Sequence, residues 1–371
     1  MKLLILTDGI HPFVIGGMQK HSYNLALGLH LAGHEVEVYH CTYNDEQLRS
    51  LEQHQLPFKA THVSFPHASI KIPGHYIKSS KKYSELLYEK YSKDLSSFDG
   101  VYAQGYSAWH YLLLRKNNIA PVAVNFHGLN MFQDASGLKS KLENKMLSKS
   151  VKENLDLADY TISLGGKLTQ VLETLVPKNK IVECPNGINE DWIIDVVKLS
   201  ANKKRKLIFI GRNDKVKCLD FLLKEIKPYL KNIELTIVGD VGDLASNSDP
   251  NIIFLGNITE ESTLIEHIDQ SNALVLTSTS EGQPTVIMEA MGRGKVIISS
   301  DVGAVKDMVD TEGGWTFEPL HVSEFNSVIH AFLETPDTKL LEMGKYNVTK
   351  VTTQFTWRAV CERTASIFIR E

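Results

Sequence analysis

Residues 2–40 read KLLILTDGIHPFVIGGMQKHSYNLALGLHLAGHEVEVYH. The apolar run KLLILT (2–7) stops at Asp8-Gly9, and a glycine pair follows at Gly16-Gly17. From Gln19 to Ala32 the residues suit a helix carrying Leu25, Leu27, Leu29 and Leu31, which Gly33 ends. EVEVYH (35–40) then alternates like a strand. Strand, loop, helix and strand in this order make the parallel crossover unit of a doubly wound α/β sheet.

The same pattern continues outward. VYAQ (101–104) precedes a helix near 108–116, PVAVNF (121–126) reads as a strand, and YTIS (160–163) precedes a helix near 166–175. After KIVECPNGIN (180–189) a turn signal at Pro185-Asn186-Gly187 and a basic stretch, SANKKRK, interrupt it. It restarts with LIFIG (207–211), LTIVG (235–239), IIFLG (252–256), ALVLT (273–277) and KVIIS (295–299). These short continuous apolar runs suit parallel strands covered on both faces. At 371 residues the chain exceeds what one core usually organises. Two doubly wound domains are expected, 1–186 and 187–354, with no sequence repeat between them.

Composition narrows the function classes. With 43% hydrophobic and 23% charged residues, nothing points to disorder. A net charge of −4 argues against a general nucleic-acid binder. The charge is uneven: residues 1–186 hold 20 Lys and Arg against 17 Asp and Glu, and residues 187–371 hold 20 against 27. Different partners for the two halves are expected. Cys41, Cys184, Cys218 and Cys361 show neither CxxC spacing nor a disulfide framework, which fits a reducing compartment. No run approaches a membrane-spanning length and the first apolar run is too short for a signal peptide, so a cytoplasmic location is expected.

The stretch EGQPTVIMEA (281–290) carries the chemistry. It leaves the carboxyl end of the strand ALVLT, where ligands bind in open α/β sheets. Pro284 suits the first helical turn, and the N–H groups of Thr285, Val286 and Ile287 are then expected to be free at a positive helix end. A diphosphate is the natural ligand there. Glu289, one turn after Thr285, lies on the same face, and Glu281 sits on the loop ahead, so carboxylates flank the phosphate site and suit sugar hydroxyls. Two carboxylates beside a diphosphate require cations, which Arg212 and Lys217 supply from GRNDKVK. Taken singly each of these is an ordinary surface charge. Glu289, between Met288 and Ala290-Met291, has too apolar a neighbourhood for idle exposure. Gly239-Asp240-Val241-Gly242-Asp243 suits a turn after a strand as well as a metal loop.

In this order the motifs make the chain similar to the retaining GT-B glycosyltransferases of family 4. The resemblance rests on Glu281 and Glu289 as an E-x7-E pair in SEGQPTVIMEAM, on Arg212 with Lys217 five residues later, on the N-terminal GGMQKHSYNLALGLHLAGHEVEV, and on NGIN. It implies two Rossmann-like domains facing across a cleft, the last helix (355–371) crossing back to the first with Trp357, Val360 and Ile367 as anchors. Glu289 would hold the ribose, Glu281 the donor sugar, and Arg212 and Lys217 the diphosphate. Gly16 and Gly17 would approach the phosphates by backbone, Gln283, Pro284, Thr285 and Val286 would line the donor site, and His127 in NFHGLN would lie near the anomeric carbon. Cys218 stands where the family usually has glycine, and Gln283-Pro284-Thr285 where it has an aromatic-proline pair; differences in the phosphate loop and in donor choice are expected there.

The implied reaction moves a sugar from a nucleotide diphosphate sugar, UDP being the family's commonest nucleotide, to a hydroxyl of a glycan or lipid-linked glycan. No metal or other cofactor is expected, because cations and a helix start stabilise the leaving phosphate. KIPGHYIKSSKKYSELLYEKYSK (71–93), with six lysines and four tyrosines, and KSKLENKMLSKSVK (139–152) suit either an anionic membrane surface or a solvated helix face. Competing readings are a non-catalytic nucleotide-sugar binder, which would have no need to keep Glu281, Arg212 and Lys217, and a GT-B epimerase or phosphorylase. A dehydrogenase is disfavoured because no GxGxxG follows the first strand.

Overall fold

A computed structural model of the chain describes residues 1–14, 16–43, 55–66, 74–115, 120–132, 138–198, 204–212, 214–242, 244 and 249–369. The chain divides into two compact units, Met1–Gly187 with Trp357–Glu371, and Ile188–Thr356.

Unit 1 holds strands β1 (Lys2–Leu6), β2 (Glu35–His40), β3 (Lys59–His62), β4 (Gly100–Gln104), β5 (Val122–Asn125), β6 (Tyr160–Ser163) and β7 (Ile181–Glu183). They form one parallel sheet in the order β3-β2-β1-β4-β5-β6-β7. Its helices are α1 (Gly17–Leu31), α2 (His75–Tyr91), α3 (Trp109–Leu114), α4 (Leu138–Leu157) and α5 (Lys167–Glu173). Alternate residues of β1 separate the two faces: Leu4 and Leu6 join a core with Tyr83, Leu87 and Tyr91, while Leu3 and Ile5 join one with Leu25, Ala26 and Leu29. That two-sided burial is why KLLIL carries no polar alternation.

Unit 2 repeats the architecture with β8 (Arg205–Ile210), β9 (Ile233–Val238), β10 (Ile252–Gly256), β11 (Ala273–Leu276), β12 (Val296–Ser300) and β13 (Gly314–Phe317). Its parallel order is β10-β9-β8-β11-β12-β13. The helices are α6 (Leu219–Glu225), α7 (Glu261–Gln270), α8 (Thr285–Gly292), α9 (Val305–Met308), α10 (Val322–Glu334) and α11 (Asp337–Gln354).

The last helix, α12 (Trp357–Ser366), packs on α1 in unit 1. Val360, Cys361, Ala365 and Phe368 are buried there, whereas Trp357 and Ile367 are only partly buried. Cys361 and Phe368 were not among the anchors read from sequence. Glycines make their room: a Cβ at Gly28 would lie 2.5 Å from Cys361 Sγ, and one at Gly100 2.2 Å from the Phe368 ring.

Three strands escape the sequence reading, β3, β7 and β13, and all three are sheet edges. KATH, IVE and GWTF are three or four residues long and mostly partly exposed, so no continuous apolar run marks them; β10, the remaining edge strand, keeps the run IIFLG and was legible. Residues 71–73 of the first basic run, and the side chains of 139–140 in the second, lie outside the described residues. Among the described residues no helix is long and apolar enough to cross a membrane.

Candidate active site

In unit 2 the strand order reverses between β8 and β11, so the loops leaving these two neighbours diverge and open a crevice at their carboxyl ends. Arg212 and Lys217 lie on the loop after β8, Glu281 on the loop after β11. Adjacent strands thereby bring together residues some seventy positions apart in sequence.

Lys217 Nζ lies 2.7 Å from Glu281 Oε1, with side-chain exposures of only 21% and 14%. Ser278 Oγ donates to the same oxygen at 2.6 Å. Glu281 is therefore held from two sides before any ligand arrives. An ammonium has three donors, so Lys217 keeps capacity for a phosphate while pairing Glu281. Arg212 is exposed and makes no ion pair among the described residues.

The loops are fastened to each other by groups the sequence reading missed. Asp214 Oδ1 accepts the N–H of Val216 and of Lys217, each at 3.0 Å, a side-chain turn that sets the lysine backbone. Thr277 Oγ1 donates to the carbonyls of Lys217 and Cys218 at 3.0 and 3.2 Å, and Thr279 N–H donates to Val216 O at 2.7 Å. Gly303, at φ 55°, supports Glu281 from β12: a Cβ there would lie 2.3 Å from the carbonyl oxygens of Glu281 and Gly282. The NDK and DVGA turns after strands were the available signals for Asp214 and Gly303.

Cys218 takes φ 50°, ψ 44° at the start of α6, the left-handed conformation in which glycine is unstrained. The cysteine at this position therefore sits in a backbone conformation that glycine adopts without strain. Its thiol donates to Lys215 O at 3.2 Å.

α8 starts at Thr285, and Pro284 precedes it in an extended conformation instead of occupying the first turn. Ile287 N–H is engaged by Pro284 O at 3.1 Å, so among the described residues the open donors are those of Thr285 and Val286, one fewer than expected. Of Gln283-Pro284-Thr285, the first two are buried, Gln283 Nε2 lying 3.9 Å from Met288 Sδ, and Thr285 alone is exposed. Glu289, one turn on, is half-buried.

In unit 1 the corresponding reversal falls between β1 and β4. Gly16 and Gly17 start α1 on the loop after β1, and His127 follows β5 at φ 55°. Its N–H donates to Asn125 Oδ1 at 2.8 Å, and Asn125 Nδ2 donates to Tyr102 OH at 2.9 Å. The His127 ring meets that of His21 edge-on, centroids 4.6 Å apart. Burial, then His21, holds His127 well below the usual histidine range. Burial also lowers His21 to about 4, opposed by a hydrogen bond with Asn186. Both rings are neutral at pH 7, so His127 is suited to hydrogen bonding and not to supplying charge.

Two family models cover most of the chain: Glycosyltransferase Family 4 over residues 15–192 and Glycosyl transferases group 1 over residues 204–335. The chain belongs to the family 4 glycosyltransferases. It is 24% identical over 348 residues to an uncharacterized glycosyltransferase of Methanocaldococcus jannaschii, covering 85% of each chain. The fold matches sucrose-phosphate synthase from Thermosynechococcus elongatus with a TM-score of 0.76 at 17% identity, over 99% of this chain and 98% of that one. It matches HepE of Anabaena, solved in complex with UDP, at 0.69 and 16%, over 99% of both. As a family 4 glycosyltransferase with two parallel-sheet Rossmann-like domains, the protein is a sugar-transferring enzyme of GT-B architecture.

Proposed function

We propose that the protein transfers a sugar, with retention and without a metal, from a UDP-sugar to a hydroxyl of a glycan or lipid-linked glycan. The observation that carries this reading is the convergence at the carboxyl ends of β8 and β11 of an exposed arginine, a Lys217–Glu281 pair and an open helix start. The Thr285 and Val286 N–H groups, with Arg212 and Lys217, meet a diphosphate whose charge grows as the glycosidic bond breaks. Glu281 and Glu289 accept hydrogen bonds from sugar and ribose hydroxyls. The acceptor oxygen attacks from the face the phosphate leaves, and the departing phosphate takes the acceptor proton. The UDP bound by HepE supports the choice of nucleotide.

Nucleotide release and thermal shift across UDP-, GDP- and ADP-sugars test the reading, with EDTA expected to leave turnover unchanged. A chain neither stabilised nor active with any of them would sink it. Arg212→Ala should lower kcat by about 10²- to 10³-fold, the effect of losing one preorganised transition-state contact. Glu289→Ala should mainly raise KM, because a ribose contact serves ground and transition states alike.

The reading extends to an anionic lipid surface met by lysines of α2. Lys78, Lys81, Lys82 and Lys90 are exposed. Of the tyrosines on this helix, Tyr83 and Tyr91 are buried in the core and Tyr88 is half-buried, which leaves Tyr76, 46% exposed, to meet such a surface. Co-sedimentation with anionic vesicles at low salt is the test, and protein left wholly in the supernatant would retire the lipid contact.

A further inference from the structure

At the carboxyl end of β4, Gln104 is 1% exposed, yet neither its Nε2 nor its Oε1 has a hydrogen-bonding partner among the described residues. Buried carboxamides are normally paired, because removing two donors and an acceptor from water is costly. The polar residues flanking it are spent. Thr7, the next residue of β1 beyond the Leu6–Ala103 pair, has its hydroxyl engaged by Gly9 O at 2.8 Å and Ser22 Oγ at 3.0 Å. Asn125, its register partner on β5, is committed to Tyr102 and to the His127 N–H. Two further buried polar atoms beside this part of the sheet lack a partner among the described residues: Nε2 of His127, two residues past Asn125, and Nδ1 of His21, whose ring meets that of His127. Gln104 ends β4, one of the two strands between which the order reverses, and His127 lies just past the carboxyl end of β5.

We propose that Gln104 binds a vicinal diol of a pyranose, its Nε2 donating to one hydroxyl oxygen and its Oε1 accepting from the neighbouring hydroxyl, with His127 Nε2 hydrogen-bonded to the same ring. A carboxamide presents a donor and an acceptor side by side, and two adjacent hydroxyls present the complement. A charged group at this buried position would be harder to keep dry, whereas a neutral amide holds a neutral diol without a counter-ion. The diol belongs either to the donor's sugar or to the acceptor's. The inference rests on the glycosyltransferase reading.

The test uses Gln104→Met, an apolar near-isostere, with Gln104→Leu as a second variant, in the full chain. Since the amide has no protein partner, thermal stability without ligand should be unchanged or raised. UDP alone should stabilise wild type and variant equally. Hydrolysis of UDP-glucose, UDP-galactose and UDP-N-acetylglucosamine without acceptor reads the donor source; transfer to methyl glucoside, galactoside or mannoside reads the acceptor source. Gln104→Met should lower kcat/KM by about 10- to 100-fold in one arm, matching the loss that deoxygenating one hydroxyl of that sugar causes in wild type. Variants within twofold of wild type in both arms would overturn the diol site and leave the glycosyltransferase reading intact. Lower thermal stability with unchanged sugar kinetics would do the same, marking Gln104 as a structural amide. A wild type indifferent to every nucleotide would overturn the functional reading itself, and the diol site with it.

Discussion

Arg212 and Lys217 share a loop and a charge but differ in surroundings, and substitution separates them. Lys217 neutralises a carboxylate that is only 14% exposed. Lys217→Ala leaves Glu281 with the Ser278 hydroxyl alone, so it should cost about 1–2 kcal/mol of stability as well as turnover. Arg212→Ala should leave the urea midpoint within about 0.5 kcal/mol of wild type, as expected for an exposed side chain with no ion pair. Equal midpoints for the two variants would show that the Lys217–Glu281 pair does not hold the loop. Cys218→Gly bears on the same turn. A non-glycine residue at φ 50° carries about 1 kcal/mol of strain, which glycine removes while adding chain entropy to the unfolded state. The glycine variant should be between neutral and about 1 kcal/mol more stable by thermal melting; a clear loss would mean that the thiol's contact with Lys215 outweighs the strain.

Among elements, the interior strands were legible because parallel strands buried on both faces are written as apolar runs, and LIFIG, ALVLT and KVIIS are such runs. KATH, IVE and GWTF sit at edges, where one neighbour is missing, and carry no such signature. The site was legible to the extent that strand ends and helix starts were: Glu281, Glu289, Arg212 and Lys217 follow from position after a strand. Asp214, Thr277 and Gly303 act through backbone groups of another loop, a relation that only the folded sheet creates. The docking of α12 was likewise half legible. Its aromatic and aliphatic residues mark an amphipathic helix, but the sites that receive them are glycines in distant elements. Gly100→Ala places a methyl inside the buried Phe368 ring and should cost about 2–4 kcal/mol, close to the loss of that side chain's packing. Phe368→Ala in the Gly100→Ala background should then add little, a non-additivity that urea unfolding measures; full additivity would mean that the two do not meet.

Across the whole molecule, eleven of the fourteen histidines lie in residues 1–186, and this becomes a difference in acid stability between the units. Burial lowers His21 and His40 to about 4 and pushes His127 well below the usual range, all in unit 1. The three histidines of unit 2 are exposed or half-buried. Between pH 6.5 and about 4 an unfolded unit 1 binds protons on these rings that the folded unit refuses, so its stability rises with pH and falls as pH drops. Asp8 opposes the trend: burial, against hydrogen bonds from its own backbone and Gln19, raises it to about 6. Folded Asp8 thus keeps a proton that the unfolded chain has released above about pH 4, and this adds stability as pH falls. One carboxyl against these three imidazoles, with His11, His34 and His62 also lowered by burial, leaves a net loss, on the order of 1–2 kcal/mol for each fully buried histidine by pH 5. Hydrogen exchange of β1 and β4 amides, corrected for intrinsic rates, should therefore show unit 1 opening more readily at pH 5 than at pH 7. His40→Asn should flatten that dependence and Asp8→Asn should steepen it. A wild-type unit 1 as protected at pH 5 as at pH 7 would mean that its buried rings take up protons while the fold stays closed.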